Sequence, residues 1–314
     1  MPSQAGSISS RRGSTNARAK RNVPTVPQSR HRSSTSTPSV TVTSGSITFN
    51  GTLSCATSTA SFIWTAPSGI TVAASPSMTV NGDLTLAATG GSVVVGASAV
   101  VNASGGSLTI LSPNALTVGN SAAISSNGAL ALGASTAFSL GSPVTITDIA
   151  RDTDITFDIP ASSVQTWTGL TVTTPAEGDF VIDDAATINL VGTTITGNVL
   201  WTNLVAASID GTSAIVADMK GCQNIGTGNG YGPNGSNVCV ISTAGYGGGG
   251  NNSTYGSGGG AYGGVGGTGN GPTSQPGGVT YGSATAPLLY GSSGGNSVSG
   301  SGAGVRTRHV VAVA

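Results

Sequence analysis

Short apolar–polar–apolar triplets recur through this chain at a nearly constant interval, and that period limits its fold more than any other feature. The best-defined run reads Leu84-Thr85-Leu86, Val93-Val94-Val95, Ala99-Val100-Val101, Leu108-Thr109-Ile110, Leu116-Thr117-Val118, Ala129-Leu130-Ala131-Leu132, Phe138-Ser139-Leu140 and Val144-Thr145-Ile146. The interval is 24 from Leu84 to Leu108, 23 from Val95 to Val118, 21 from Leu108 to Ala129 and 22 from Val118 to Leu140. Alternation within each triplet is the signature of a half-buried strand. Several short strands in each fixed period predict a solenoid.

The expected fold is all-β: a right-handed parallel β-helix over residues 41–217. One turn is a flattened triangle with a strand on each side. The outer residues of a triplet point inward and stack on their counterparts in neighbouring turns, while the middle Thr, Ser or Ala faces out. Each turn hydrogen-bonds to the next, so the backbone is satisfied without a large aromatic core. An antiparallel sandwich fits less well, because the triplets are short and evenly spaced and few connections are Asn-Gly or Asp-Gly. The pattern continues less regularly to Ile209, through Ile155-Thr156-Phe157, Leu170-Thr171-Val172, Phe180-Val181-Ile182, Ile188-Asn189-Leu190 and Val199-Leu200-Trp201. Trp64, Trp167 and Trp201 are expected to cap or plug the solenoid, with surface aromatic platforms as the alternative.

Charge is scarce and unevenly placed. Charged residues are 7% of the chain, and seven of the eleven basic ones precede residue 33: Arg11, Arg12, Arg18, Lys20, Arg21, Arg30 and Arg32. No acid appears before Asp83, and residues 33–314 hold 4 basic against 11 acidic residues, a formal charge of −7. Residues 1–40, rich in Ser, Arg, Pro and Thr, cannot offset ordering entropy by burial and read as a disordered basic arm. Seven cations could contact nucleic acid or another anion, as the arm of a viral coat or fibre protein does. The body does not read as a jelly roll, so a solubilising leader with no specific role is preferred.

Residues 218–304 form a Gly/Tyr-rich segment, followed by a terminal strand at 305–314. Between Gly245 and Gly304 lie 24 of the 50 glycines, and all six tyrosines fall at or after Tyr231. A mere tether has no need of large rings. Tyr246, Tyr255, Tyr262, Tyr281 and Tyr290 are therefore read as anchors that pin glycine strands against the solenoid, each burying ~150–200 Å². Such a layer suits self-association or contact with a glycan or another cell-surface polymer. The GxG phrases at 245–270 lack the helix and the Lys-Ser/Thr pair of a phosphate loop.

Asp218-Met219-Lys220-Gly221, followed by GYGPNG, GSGGGAYGGVGG and GGVTYGSATAPLLYGSSGG, resembles the glycine-rich inserts of very large, repetitive β-helical surface proteins of microbes. The resemblance covers about residues 218–310, and Tyr281-Gly282-Ser283 through Gly291-Ser292 carries its most specific phrase. The solenoid half is similar to the filamentous-haemagglutinin-like and autotransporter-passenger class in texture only. The terminal GGAGGG phrase of such inserts is reduced here to Gly300-Ser301-Gly302-Ala303-Gly304, and the chain reads as a fragment of something longer. The resemblance implies a cell-surface structural or adhesive role and no known catalytic residues; a non-enzymatic cell-surface or extracellular protein without a cofactor is the expectation.

The remaining chemistry is thin. Cys222 and Cys239 bracket a Gly/Asn loop as a candidate disulfide, while unpaired buried thiols are the alternative and Cys55 is left over. Neither the cysteine spacing nor His31 and His309 resembles a zinc site. A β-helix polysaccharide lyase or hydrolase would need converging carboxylates, for which Asp179, Asp183 and Asp184 are the only local cluster; no basic partner is evident. Asp148, Asp152, Asp154 and Asp158 are oxygen-rich enough for Ca²⁺ but do not follow an EF-hand, and read as a charged turn partnered by Arg151. Outward Thr85, Thr109, Thr117 and Thr145 suggest an ice-binding solenoid, but Ser, Val and Ala interrupt the rows. No segment has the ~18 apolar residues of a membrane span, and the N-terminus lacks the apolar run of a signal peptide.

Overall fold

Twenty-four strands between Ser39 and Val216 wind into eight turns of three, each paired in parallel with its equivalents in adjoining turns except at one break on the second face. This computed structural model describes residues 8–9, 39–55, 60–216, 222, 229–233, 239–241, 258, 260, 265–269, 275–279 and 292–295. Among them the structure is all-β and helix-free, a parallel β-solenoid. Ile8–Ser9 adds a short antiparallel pairing to Thr41 and Val42 at the first turn's edge.

The first face stacks Ser39–Val42, Phe62–Ala66, Leu84–Ala88, Leu108–Ser112, Leu130–Ala134, Ile155–Asp158, Asp179–Ile182 and Asn198–Trp201. The second face is two sheets. Ile47–Phe49, Gly69–Val72, Ser92–Val95, Ala115–Val118 and Ala137–Leu140 make one, and Val164–Thr168, Thr187–Val191 and Ala206–Ile209 the other. The third face runs unbroken through Leu53–Cys55, Ser77–Val80, Val100–Ala103, Ala122–Ser126, Val144–Asp148, Leu170–Thr173, Thr194–Thr196 and Ala214–Val216.

Stacking follows the alternation of the triplets. On the first face one inward row runs Leu84, Leu108, Leu130, Ile155, Phe180, and its companion runs Leu86, Ile110, Leu132, Phe157, Ile182. Apart from Phe157 at 1%, every one of these side chains is 0% exposed, so each contributes the roughly 1.5–3 kcal/mol of a fully buried apolar group. Alternation alone aligns Leu108 with Ala129; the structure corrects this by a single position. Leu130 pairs with Leu108, and Ala129 is exposed in the preceding corner. The period-2 pleat makes so small a difference decisive, because it moves a side chain from core to solvent.

Turn length varies more than the triplets suggest. Along the first face the register advances by 24, 22, 24, 22, 25, 25 and finally 19. The two longest turns coincide with the break in the second face, and their interior is filled by rings. Phe157 sits 5.2 Å from Phe138, 5.5 Å from Trp167 and 4.8 Å from Phe180, and Phe180 lies 5.8 Å from Trp201. Trp167 thus fills the core at 1% exposure, plugging the solenoid rather than capping it. At the opposite end half-buried Trp64 packs edge-on against Phe49, with centroids 4.6 Å apart.

Candidate functional site

Corners of the solenoid are where its acids are spent. Asp83 accepts from the Ser61 hydroxyl of the preceding turn at 2.8 Å and from the Ser107 backbone N–H of the next at 2.9 Å. Asp154 accepts from the Asp179 N–H at 2.8 Å, and Asp184 from the Ile159 N–H at 2.9 Å. Asp183 accepts from the Thr202 hydroxyl and, at 2.7 Å, from the Asn203 amide. A carboxylate suits these positions because the corner N–H groups have no ladder partner and a charged acceptor makes the stronger bond.

The two acidic clusters named above, at 148–158 and 179–184, lie in the later turns. Asp183 and Asp184 make separate corner bonds, and the Asp179 backbone N–H donates to Asp154. Arg151 pairs with Glu177 of the following turn, and its charge also acts on Asp152 of its own loop. Among the described residues no group of three or more His, Cys, Asp or Glu is placed to hold a metal ion.

The environment shifts several acids. Burial raises the Asp148 pKa against hydrogen bonds from the Thr153 hydroxyl at 2.6 Å and the Ala150 N–H at 3.2 Å. Burial also raises Asp158, with the Asp184 charge adding to it, and raises Asp152, with Glu177 and Asp154 adding. Asp210 moves the other way, to about 2, because the Ser213 and Thr212 hydroxyls each donate to it at 2.6 Å. Burial raises the thiol of the free Cys55.

The second arrangement is a field of outward hydroxyls. On the third face Thr145, Thr171 and Thr194 are adjacent in one outward row, and Thr147, Thr173 and Thr196 in the next. Three consecutive turns therefore repeat Thr-apolar-Thr, with Ile146, Val172 and Ile195 fully buried beneath. Ser125, Asn102 and Thr79 prolong the second row toward the first turn. No charged side chain interrupts either row, and none of these six hydroxyls forms a hydrogen bond among the described residues. Thr85, Thr109, Thr117 and Thr145, considered together above, lie on three different faces. Sequence reasoning misses Thr147, Thr171, Thr173, Thr194 and Thr196 as a set. The available signal is the repeated unit itself, Thr145-Ile146-Thr147, Thr171-Val172-Thr173 and Thr194-Ile195-Thr196.

Beyond the solenoid, Cys222 and Cys239 are disulfide-bonded, with Cα atoms 5.4 Å apart. Tyr231–Pro233 pairs antiparallel with Cys239–Ile241. The Tyr231 N–H donates to the Ser293 hydroxyl at 2.8 Å, and the Ser293 N–H returns to the Tyr231 carbonyl at 2.8 Å. Gly266 and Gly269 donate to Gly278 and Gln275, each at 2.9 Å. The anchors Tyr246, Tyr255, Tyr262, Tyr281 and Tyr290 lie outside the described residues. So do Arg11, Arg12, Arg18, Lys20, Arg21, Arg30 and Arg32, and the terminal strand at 305–314. Among the described residues no helix is long and apolar enough to cross a membrane.

The chain matches no protein-family model, and comparison with curated proteins and with solved structures likewise gives no significant match.

Proposed function

We propose that this chain is a non-enzymatic structural or adhesive component of a cell surface or extracellular matrix. The observation that carries the reading is the use of its acids: Asp83, Asp154, Asp183, Asp184 and Asp210 are held in hydrogen bonds that staple corners of the solenoid. A hydrolase instead needs two carboxylates free to face one substrate, one of them protonated. Broad sheet faces almost without charge suit lateral contact with polymers or with other copies. The Cys222–Cys239 bond is of the kind that persists in oxidising surroundings, and the resemblance of the glycine-rich segment to surface-protein inserts points the same way.

The test is location together with activity. Protease applied to intact source cells should remove the native protein, and the folded chain should leave polyuronates and other acidic polysaccharides uncleaved. Full protection of the protein inside intact cells would overturn the surface assignment. Steady release of reducing ends or unsaturated products, lost in Asp183→Asn, would overturn the non-enzymatic one. A salt-dependent shift of nucleic acid, abolished by deleting residues 1–40, would favour a coat-protein role instead.

A further inference from the structure

We propose that the third face binds the surface of ice through the array Thr145, Thr147, Thr171, Thr173, Thr194 and Thr196. Parallel strands lie ~4.8 Å apart, and alternate residues on a strand are separated by ~6.6 Å. Direct pairing of Thr145, Thr171 and Thr194, and of Thr147, Thr173 and Thr196, therefore sets out a rectangular grid of hydroxyls and methyls with those two repeats. Both repeats lie close to oxygen spacings in the ice lattice.

A grid regular in two dimensions selects an occupant that is itself regular in two dimensions. A soluble ligand gains nothing from the repetition, and a single polymer chain gains from it in one dimension only. Threonine fits an ice surface in both of its parts. The hydroxyl can take a lattice water's place in a hydrogen-bond net, while the methyl limits competing arrangements of that water. A β-branched side chain is stiff about χ1, so the hydroxyls are positioned before binding. Beneath them Val144, Ile146, Leu170, Val172 and Ile195 are buried to 1% exposure or less, which holds the sheet in place under the grid. The other two faces offer no equivalent. Thr85 and Thr109 on the first face run into Ala131, and Thr71 on the second into Val94.

The proposal is independent of where the protein resides. The full chain, with its disulfide intact, is mixed with polycrystalline ice held just below melting, and grain growth and single-crystal habit are followed by microscopy. Slowed grain growth and faceted crystals are expected. Thr171→Lys places a long charged side chain at the centre of the grid and should abolish both effects, and Thr173→Lys serves as an independent second variant. Thr109→Lys, on the first face, should leave both unchanged. Circular dichroism and melting of each variant verify that the solenoid is intact. No effect of the folded chain on ice, or undiminished activity in a folded Thr171→Lys or Thr173→Lys protein, overturns the proposal. Equal loss in Thr109→Lys overturns it as well, because the activity would then not belong to the third face.

Discussion

The solenoid has two regions built by different rules. From Gly69 to Leu140 the register of the second face advances by a steady 23, 23 and 22, and the core is mainly aliphatic. From Val144 onward the advance ranges from 19 to 26, the second face begins a new sheet at Val164, and rings fill the interior. In the regular region each turn is a near copy of the last, so small residues can stack on small residues. In the irregular region each turn must be fitted to a neighbour of different length, and large rings with corner carboxylates do the fitting. Backbone contact between turns is common to both regions, and the irregular one adds side-chain fitting to it.

The largest expected effect breaks the irregular region at its centre. Trp167→Ala removes a ring that touches both Phe157 and Phe180 and should cost ~3–5 kcal/mol of unfolding free energy by chemical denaturation. Trp167→Phe should lose far less. Its smaller ring leaves a gap, but it also removes an indole N–H that is buried with no partner among the described residues, and such a group costs ~1–3 kcal/mol. Equal losses for both variants would mean that the indole makes a contact that phenylalanine cannot replace.

Next in size is a test of backbone contact. A Cβ on Gly119 would lie 2.5 Å from the Ala97 nitrogen one turn earlier, and a Cβ on Gly96 would lie 2.5 Å from the Ala73 carbonyl carbon. Gly119→Ala should therefore destabilise by ~1–3 kcal/mol, as overpacking does. Gly211, in the last turn, has nothing within 4 Å of the corresponding position. Gly211→Ala should stay within ~0.5 kcal/mol of the parent, as open surface sites do. Equal penalties on thermal unfolding of the two variants would mean that close backbone approach between turns does not set the loss.

Legibility in the sequence follows the same division. Parallel winding, the inward Leu84, Leu86, Leu108 and Ile110, and the outward Thr85 and Thr109 all follow from alternation plus period. Ala129 is misplaced by that logic because alanine packs or faces water with equal ease, so only register decides. Ala122–Ser126 escapes notice as a strand because its sole large residue is Ile124. The corner bonds of Asp154 and Asp184 join residues 25 apart, across turns whose length the local pattern does not reveal. The same variation hides the threonine grid, since its three Thr-apolar-Thr units become neighbours only after turns of unequal length are aligned.

A smaller effect separates the regions by pH. Asp148, Asp152 and Asp158 have raised pKa values, and all lie in the irregular region. Such a group contributes stability below its ordinary value of 3.8 and loses it as pH rises through the folded value. Asp210, lowered to about 2, contributes above 3.8 and loses that contribution as pH falls toward its folded value. Acidification from neutrality toward the ordinary carboxylate range should thus raise hydrogen-exchange protection, measured relative to the intrinsic amide rate at each pH, around residues 144–184. Further acidification toward 2 should lower that protection at 190–214. The strands from Ser92 to Val118 pair with no acidic residue and should respond little. Uniform pH dependence along the solenoid would show that net charge, not these local environments, governs the response.

The smallest effect concerns the corner between the second and third faces, where Ser75, Ser98 and Ser121 repeat at φ values of 69°, 56° and 58°. A left-handed conformation costs a non-glycine residue about 1–2 kcal/mol, whereas glycine gives up about 0.5–1 kcal/mol of extra chain entropy on folding. Ser98→Gly should therefore be neutral to about 1 kcal/mol stabilising, since the Ser98 N–H keeps its 2.8 Å bond to the Asn120 carbonyl. Glu177 holds a similar conformation at 63°, but its side chain is the partner of Arg151. Glu177→Gly should relieve the same strain and still destabilise, because a partly buried guanidinium loses its carboxylate. Denaturant titration of the two variants measures opposite signs if side chains do the fitting in the irregular region. Stabilisation by both would mean that the Arg151–Glu177 pair contributes less than the backbone strain it accompanies.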